Sequence, residues 1–125
     1  MAEDAPAIRQ SDESTKDVLD VASLMARIRN DPESLQKLKR KFFEVYPSLI
    51  QGVRDASEQE NSEKLVFNAH ALKTMLSFLY APRGYRAALE LEVTAMSTDM
   101  KNISSKVIFL EAELERIADA LTNVE

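Results

Sequence analysis

Residues 68–80 read NAHALKTMLSFLY, and the fold turns on how this stretch is placed. On a helical wheel at about 100° per residue, a helix over 62–80 puts Leu65, Ala69, Leu72, Leu76 and Leu79 on one side. His70 falls roughly opposite their centre, with Glu63, Lys73, Thr74 and Ser77 on its side. Ala71, Met75 and Phe78 widen the apolar arc on one flank and Tyr80 on the other. Such a helix is buried over most of its circumference and keeps a narrow polar strip outward. The strip carries His70, the chain's single histidine, and Lys73 as neighbours at i and i+3. The methionines and aromatics, Met75 and Met96 among them, are expected in the core.

Working outward, the same periodicity recurs. Residues 16–29 place Val18, Leu19, Ala22, Met25 and Ile28 at helical spacing. Asn30-Asp31-Pro32 breaks the chain, with Asp31 as N-cap and Pro32 in the first turn of the next helix. That second helix runs over 32–57 on a stripe of Leu35, Leu38, Phe42, Val45, Leu49 and Val53, and Pro47 is expected to kink it. Its basic cluster, Lys37, Lys39, Arg40 and Lys41, is either a solvated face or a contact for an acidic partner. Residues 58–61 are a polar turn before the third helix. Ala81-Pro82 starts a fourth helix over 82–99, with Ala88, Leu91, Ala95 and Met96 toward the core. A last helix over 103–122 carries Val107, Leu110, Leu114, Ile117 and Leu121. No strand-like alternation or internal repeat occurs. The expected fold is all-α, an antiparallel bundle closed by short turns.

Composition excludes much. A chain of 125 residues suits one domain with its own core. Residues 1–14 are polar, acidic and aperiodic, and read as a disordered tail before a folded unit over 15–125. Glu3, Asp4, Asp12 and Glu13 oppose only Arg9 there. The net charge of −5 argues against nucleic-acid binding. The chain has no cysteine, which excludes disulfides, Cys-based zinc sites and a thiol nucleophile. Its two glycines cannot build a phosphate-cradling loop, so no ATP site, metal site or other cofactor is expected. No apolar run spans a membrane and the N-terminus is not a signal peptide, consistent with the cytoplasm.

The polar strip sets the remaining chemistry. A free imidazole titrates near about pH 6.5, so it is mostly neutral at pH 7 and nucleophilic toward a phosphoryl group. A lysine one turn away could offset the added charge. The gross attraction at about 4 Å is roughly 4 kcal/mol at an effective dielectric near 20, and under about 1 kcal/mol net if exposed. That orients a phosphoryl group without catalysing its transfer. On periodicity alone, His70 could equally be a surface histidine with no task.

The segment AHALKT at 69–74 resembles the A-H-x-L-K-G motif of histidine phosphotransfer domains. KFFEVYPSLIQGVRDA resembles that family's second helix, and Ala81 and Leu91-Glu92 stand where its pattern has Gly-Ala and Leu-Glu. The resemblance covers about 17–122. It implies an antiparallel four-helix bundle with an additional N-terminal helix. It implies His70 as phosphoacceptor and Lys73 as the residue that steadies the phosphoryl group. The partners implied are response-regulator receiver domains, which supply aspartate and magnesium, and a hybrid sensor kinase. The protein would then be a carrier rather than an enzyme, a monomer standing alone. Val66 and Phe67 flank His70 as candidate receiver contacts or as partly buried core, with Thr74 and Ser77 as further contacts. Thr74 replaces the family's glycine. It narrows the approach of a receiver or offers its hydroxyl to a phosphoryl oxygen. Tyr80 replaces the glycine before Ala81. The competing expectations are a non-phosphorylated helical adaptor that binds a receiver or kinase, and a plain dimerisation bundle.

Overall fold

The structure, a computed structural model, describes residues 15–125, so the expected acidic tail at 1–14 lies outside the described residues. After one helical turn at 15–18 come α1 (Val21–Arg27), α2 (Pro32–Glu58), α3 (Ser62–Phe78), α4 (Pro82–Met96) and α5 (Ile103–Thr122). Local chemistry sets most of these boundaries. Asp31 accepts hydrogen bonds from the Ser34 amide and hydroxyl at 3.2 and 2.7 Å, and Pro32 opens α2. Asn61 caps α3 through the Lys64 amide at 3.1 Å. Pro47 removes one backbone donor from α2 but does not end it.

The helices close into a ring: α2 packs on α3, α3 on α4, α4 on α5, and α5 back on α2. The apolar stripes meet inside. Leu65, Ala69, Leu72, Leu76 and Leu79 are buried, as are Val107, Leu110, Leu114, Ile117 and Leu121. On α2, Leu35, Phe42 and Val53 are buried, whereas Leu38, Val45 and Leu49 are half-buried along its border with α3.

Three expectations need correction. The helix over 16–29 is broken at Leu19–Asp20. Asp20 takes a non-helical conformation and accepts from the Ser23 amide and hydroxyl at 3.2 and 2.8 Å, starting a new helix. Its own amide donates to the Tyr80 carbonyl at 2.8 Å, which ties the segment to the α3–α4 turn. The break resets the helical phase, so Leu24 is buried and Ala22 exposed. The fourth helix stops at Met96, short of 99. Met96 is 64% exposed, because at 100° per residue it lies past the α3 contact made by Ala88 and Glu92. Finally, α3 does not bury its whole flank. Phe67 is 70% and Phe78 50% exposed, since among the described residues no helix covers the outer side of the α2–α3 pair.

Glycine is used for packing, not turning. A Cβ on Gly84 would lie 2.6 Å from Ile117 Cδ1 and 3.1 Å from Leu76 Cδ1, both on fully buried side chains. A Cβ on Gly52 would lie 2.7 Å from the Asn68 side chain, whose Nδ2 donates to the Lys64 carbonyl. The left-handed residues that end the helices are not glycines: Arg29 (φ 58°), Asn30 (φ 55°), Glu60 (φ 52°), Tyr80 (φ 59°) and Thr98 (φ 64°). They let the following amides reach back, as Asn61 to Ala56 at 2.9 Å and Ala81 to Leu76 at 3.1 Å.

Two stability outcomes follow. Gly84→Ala is expected to lose about 1–2 kcal/mol, overpacking outweighing helix propensity. Thr98→Gly is expected to gain about 0.5–1 kcal/mol, because a β-branched residue leaves the left-handed region. Urea midpoints at constant slope measure both. A neutral Gly84→Ala would mean that Ile117 and Leu76 can repack.

Candidate functional site

His70 and Lys73 stand on α3 at the contact with α4, and α4 brings a third residue to them. Leu91 points into the core, and the next position, about 100° round the helix, turns Glu92 toward α3. The small neighbours Ala88 and Ala95 are fully buried there. The Glu92 side chain is only 10% exposed, against 58% for His70 and 20% for Lys73. Its Oε2 lies 2.7 Å from His70 Nδ1 and its Oε1 lies 2.8 Å from Lys73 Nζ. One buried carboxylate thus holds both strip residues.

This contact decides the state of the imidazole. An ionised carboxylate can only accept hydrogen bonds, so Nδ1 carries the proton toward Glu92. In the neutral ring, Nε2 then holds the free lone pair, on the far side of a side chain that is mostly exposed. Burial works to raise the Glu92 carboxyl, but the Lys73 and then the His70 hydrogen bonds, with their charges, outweigh it and hold it below its ordinary value.

Of the other sequence-predicted residues, Phe67, Thr74 and Ser77 are exposed on the His70 face of α3, and Val66 is half-buried. Thr74 also lines a groove between α3 and α2, whereas Ser77 turns toward the α3–α4 end of the bundle. The basic cluster disperses. Lys39 donates to the Val124 carbonyl, Lys37 and Arg40 are exposed, and Lys41 borders the groove. On the α4 side of His70, Val93 and Met96 are 56% and 64% exposed.

Sequence reasoning gave Glu92 no role beyond its place in a Leu-Glu pair. The available signal was a glutamate on the inner half of an amphipathic stripe, one residue after Leu91. A second such carboxylate, Glu113 on α5, is fully buried and joins Arg83 at 2.7 Å and Arg116 at 2.9 Å. It lies apart from His70 and binds α4 to α5. Among the described residues no group of three or more His, Asp or Glu side chains could hold a metal ion. No described helix is long and apolar enough to cross a membrane.

No protein-family model matches this sequence, and no curated protein matches it either. Among solved structures, the chain is similar to the HPT domain of a sensor hybrid histidine kinase from Shewanella. The TM-score is 0.73, over 86% of this chain and 92% of that one, at 13% identity. The fold is therefore that of a histidine phosphotransfer domain: a helical bundle with an additional N-terminal helix.

The Glu92 carboxyl also predicts an acid-sensitive stability. Its folded value is depressed, so its contribution is fully present above the ordinary carboxylate range. It is lost as pH falls through that range toward the folded value. Between about pH 5 and pH 3 the wild type is expected to lose stability more steeply than Glu92→Gln. Parallel curves in thermal melts would remove the ionised carboxylate from the site.

Proposed function

We propose that this protein is a phosphorelay carrier that accepts and donates a phosphoryl group on His70. The observation that carries the reading is Glu92 Oε2 at 2.7 Å from His70 Nδ1, which leaves Nε2 as the nucleophile on an exposed ring. The fold supports it, since the similar Shewanella structure is an HPT domain of a hybrid sensor histidine kinase. The partners are then a response-regulator receiver domain and a hybrid sensor kinase, in the cytoplasm.

The step is a displacement at phosphorus. The Nε2 lone pair attacks the aspartyl phosphate of a receiver, an N–P bond forms, and the acyl-phosphate P–O bond breaks. The aspartate leaves as a carboxylate, and the ring becomes a phosphorylated imidazolium that still carries its Nδ1 proton. Glu92 offsets that positive charge as it develops, as the buried aspartate does for histidine in a Ser-His-Asp triad. Lys73, one turn from His70, is the cation available to the phosphoryl oxygens. It has to share its ammonium with Glu92 Oε1, from which it lies 2.8 Å. Among the described residues no group is placed to polarise the acyl phosphate, so the receiver supplies its magnesium and acidic pocket. The chain acts as a carrier and not as a kinase.

Incubation with a panel of phosphorylated receivers tests this. The wild type is expected to take up acid-labile phosphate on Nε2, and His70→Gln none. Lys73→Ala should shorten the phosphohistidine lifetime or slow transfer. Glu92→Gln, which keeps the hydrogen bond but not the charge, should slow transfer roughly tenfold. Equal labelling of His70→Gln would refute the carrier reading. Receiver binding without uptake, unaffected by His70→Ala, would support the adaptor instead.

A further inference from the structure

The outer face of the α4–α5 pair carries a cation arrangement that the His70 site does not use. The fully buried Glu113 takes Arg83 Nη2 at 2.7 Å and Arg116 Nη1 at 2.9 Å, both on Oε2. Its Oε1 is buried without a hydrogen-bond partner. The two guanidiniums therefore stand side by side, and each gives the carboxylate a single N–H rather than its paired fork. Both side chains keep a solvent-facing part. Arg86 lies on the exposed side of α4, three residues after Arg83. One carboxylate against three guanidiniums leaves two positive charges on this face of a chain whose net charge is −5. Asp119, a turn beyond Arg116, is exposed and forms no ion pair with it.

The same register opens a cavity beside the arginines. Arg83 pairs with Glu113, and Glu90 pairs with Lys106 two turns further along α4, so Ala87 and Phe109 meet between the two ion pairs. With Glu90, Ser105 and Lys106 they line a cavity of about 290 Å³. Ala87 and Phe109 stand one turn, about 6 Å, from the Arg83–Glu113 pair. Phe109 is 52% exposed, an aromatic surface beside open guanidinium forks. The far end of the cavity offers a carboxylate, a hydroxyl and an ammonium. A phosphomonoester carries close to two negative charges at neutral pH and three acceptor oxygens, which matches the arginines in charge and in shape. An aromatic body behind the phosphate would stack on Phe109 and reach Glu90 and Ser105. Such a site needs no glycine-rich loop, because guanidinium forks stand in for backbone amides.

We propose that this face is a binding site for a nucleotide-like phosphomonoester. Arg83, Arg86 and Arg116 take the phosphate, and Phe109 takes the aromatic body. Glu113 is a positioning residue that holds two of the arginines together. The site lies apart from His70, and the inference stands independently of the carrier reading.

Titration calorimetry of the full chain at about pH 7.5 tests it, with adenosine and guanosine monophosphates, inorganic phosphate and free adenosine as probes. A nucleoside monophosphate is expected to bind at least roughly tenfold more tightly than inorganic phosphate or adenosine. Arg116→Gln and Arg86→Gln should each weaken it roughly tenfold, while Arg83 still joins α4 to α5. Phe109→Ala should reduce the monophosphates to the affinity of inorganic phosphate and leave inorganic phosphate unchanged. His70→Gln should bind as the wild type does, which separates this site from phosphoryl transfer. Equal affinity for inorganic phosphate and the monophosphates would mean an adventitious ion only and overturn the proposal. So would binding of none of the probes, or monophosphate binding that Arg116→Gln and Phe109→Ala leave intact.

Discussion

A carboxylate buried between two helices is tolerated only with opposite charge or donors against it, and Glu92 organises the site on that condition. His70 meets one oxygen in a hydrogen bond at 2.7 Å, and Lys73 stands against the other as an ion pair at 2.8 Å. Leaving the carboxylate without these partners would cost on the order of 1–3 kcal/mol, more for a full charge. The requirement therefore fixes two side chains that would otherwise be free on a helix surface. It also fixes the distance between α3 and α4, and so depends on the small residues at that contact. The imidazole becomes an oriented group with one nitrogen occupied, and the exposed nitrogen inherits the chemistry.

The rest of the scaffold serves that spacing. Both glycines sit where a methyl group would strike a neighbouring helix, Gly84 against Ile117 and Leu76, Gly52 against Asn68. The turns then have to manage with Glu60, Tyr80 and Thr98 in the left-handed region. At Tyr80 the strain has a counterpart. Its carbonyl receives the Asp20 amide, and its ring lies under Arg27, so the turn fastens the N-terminal segment to the end of the bundle. Stability is concentrated in the interior, and the outer face around His70 is left unfilled.

That face is unusually apolar for one that stays in water. Phe67 and Phe78 lie on one side of His70, and Val93 and Met96 on the other. On the proposed carrier reading such a rim has a use, because docking would supply the alignment that the chain's own residues cannot. The imidazole is 58% exposed in its side chain.

Most of the helices, the Asp31 cap and the identity of the outward strip were legible in the sequence, because they depend on spacing and on residues close in the chain. Asp31-Pro32 starts α2 by its own hydrogen bonds, and the leucines of α3 can face only one way once the helix forms. The motif around His70 pointed to the phosphotransfer fold for the same local reason. Contacts between helices were not legible. The break at Asp20 depends on a carbonyl sixty residues away, and the exposure of Phe78 and Met96 depends on which helix edges lack a neighbour. Glu92 joins His70 only because α4 folds back on α3. No local rule marks a glutamate as buried, since its burial becomes tolerable only when the partners arrive from another helix. The sequence by itself determined the bundle and its candidate residue. The tertiary structure decided which nitrogen of that residue is free to react.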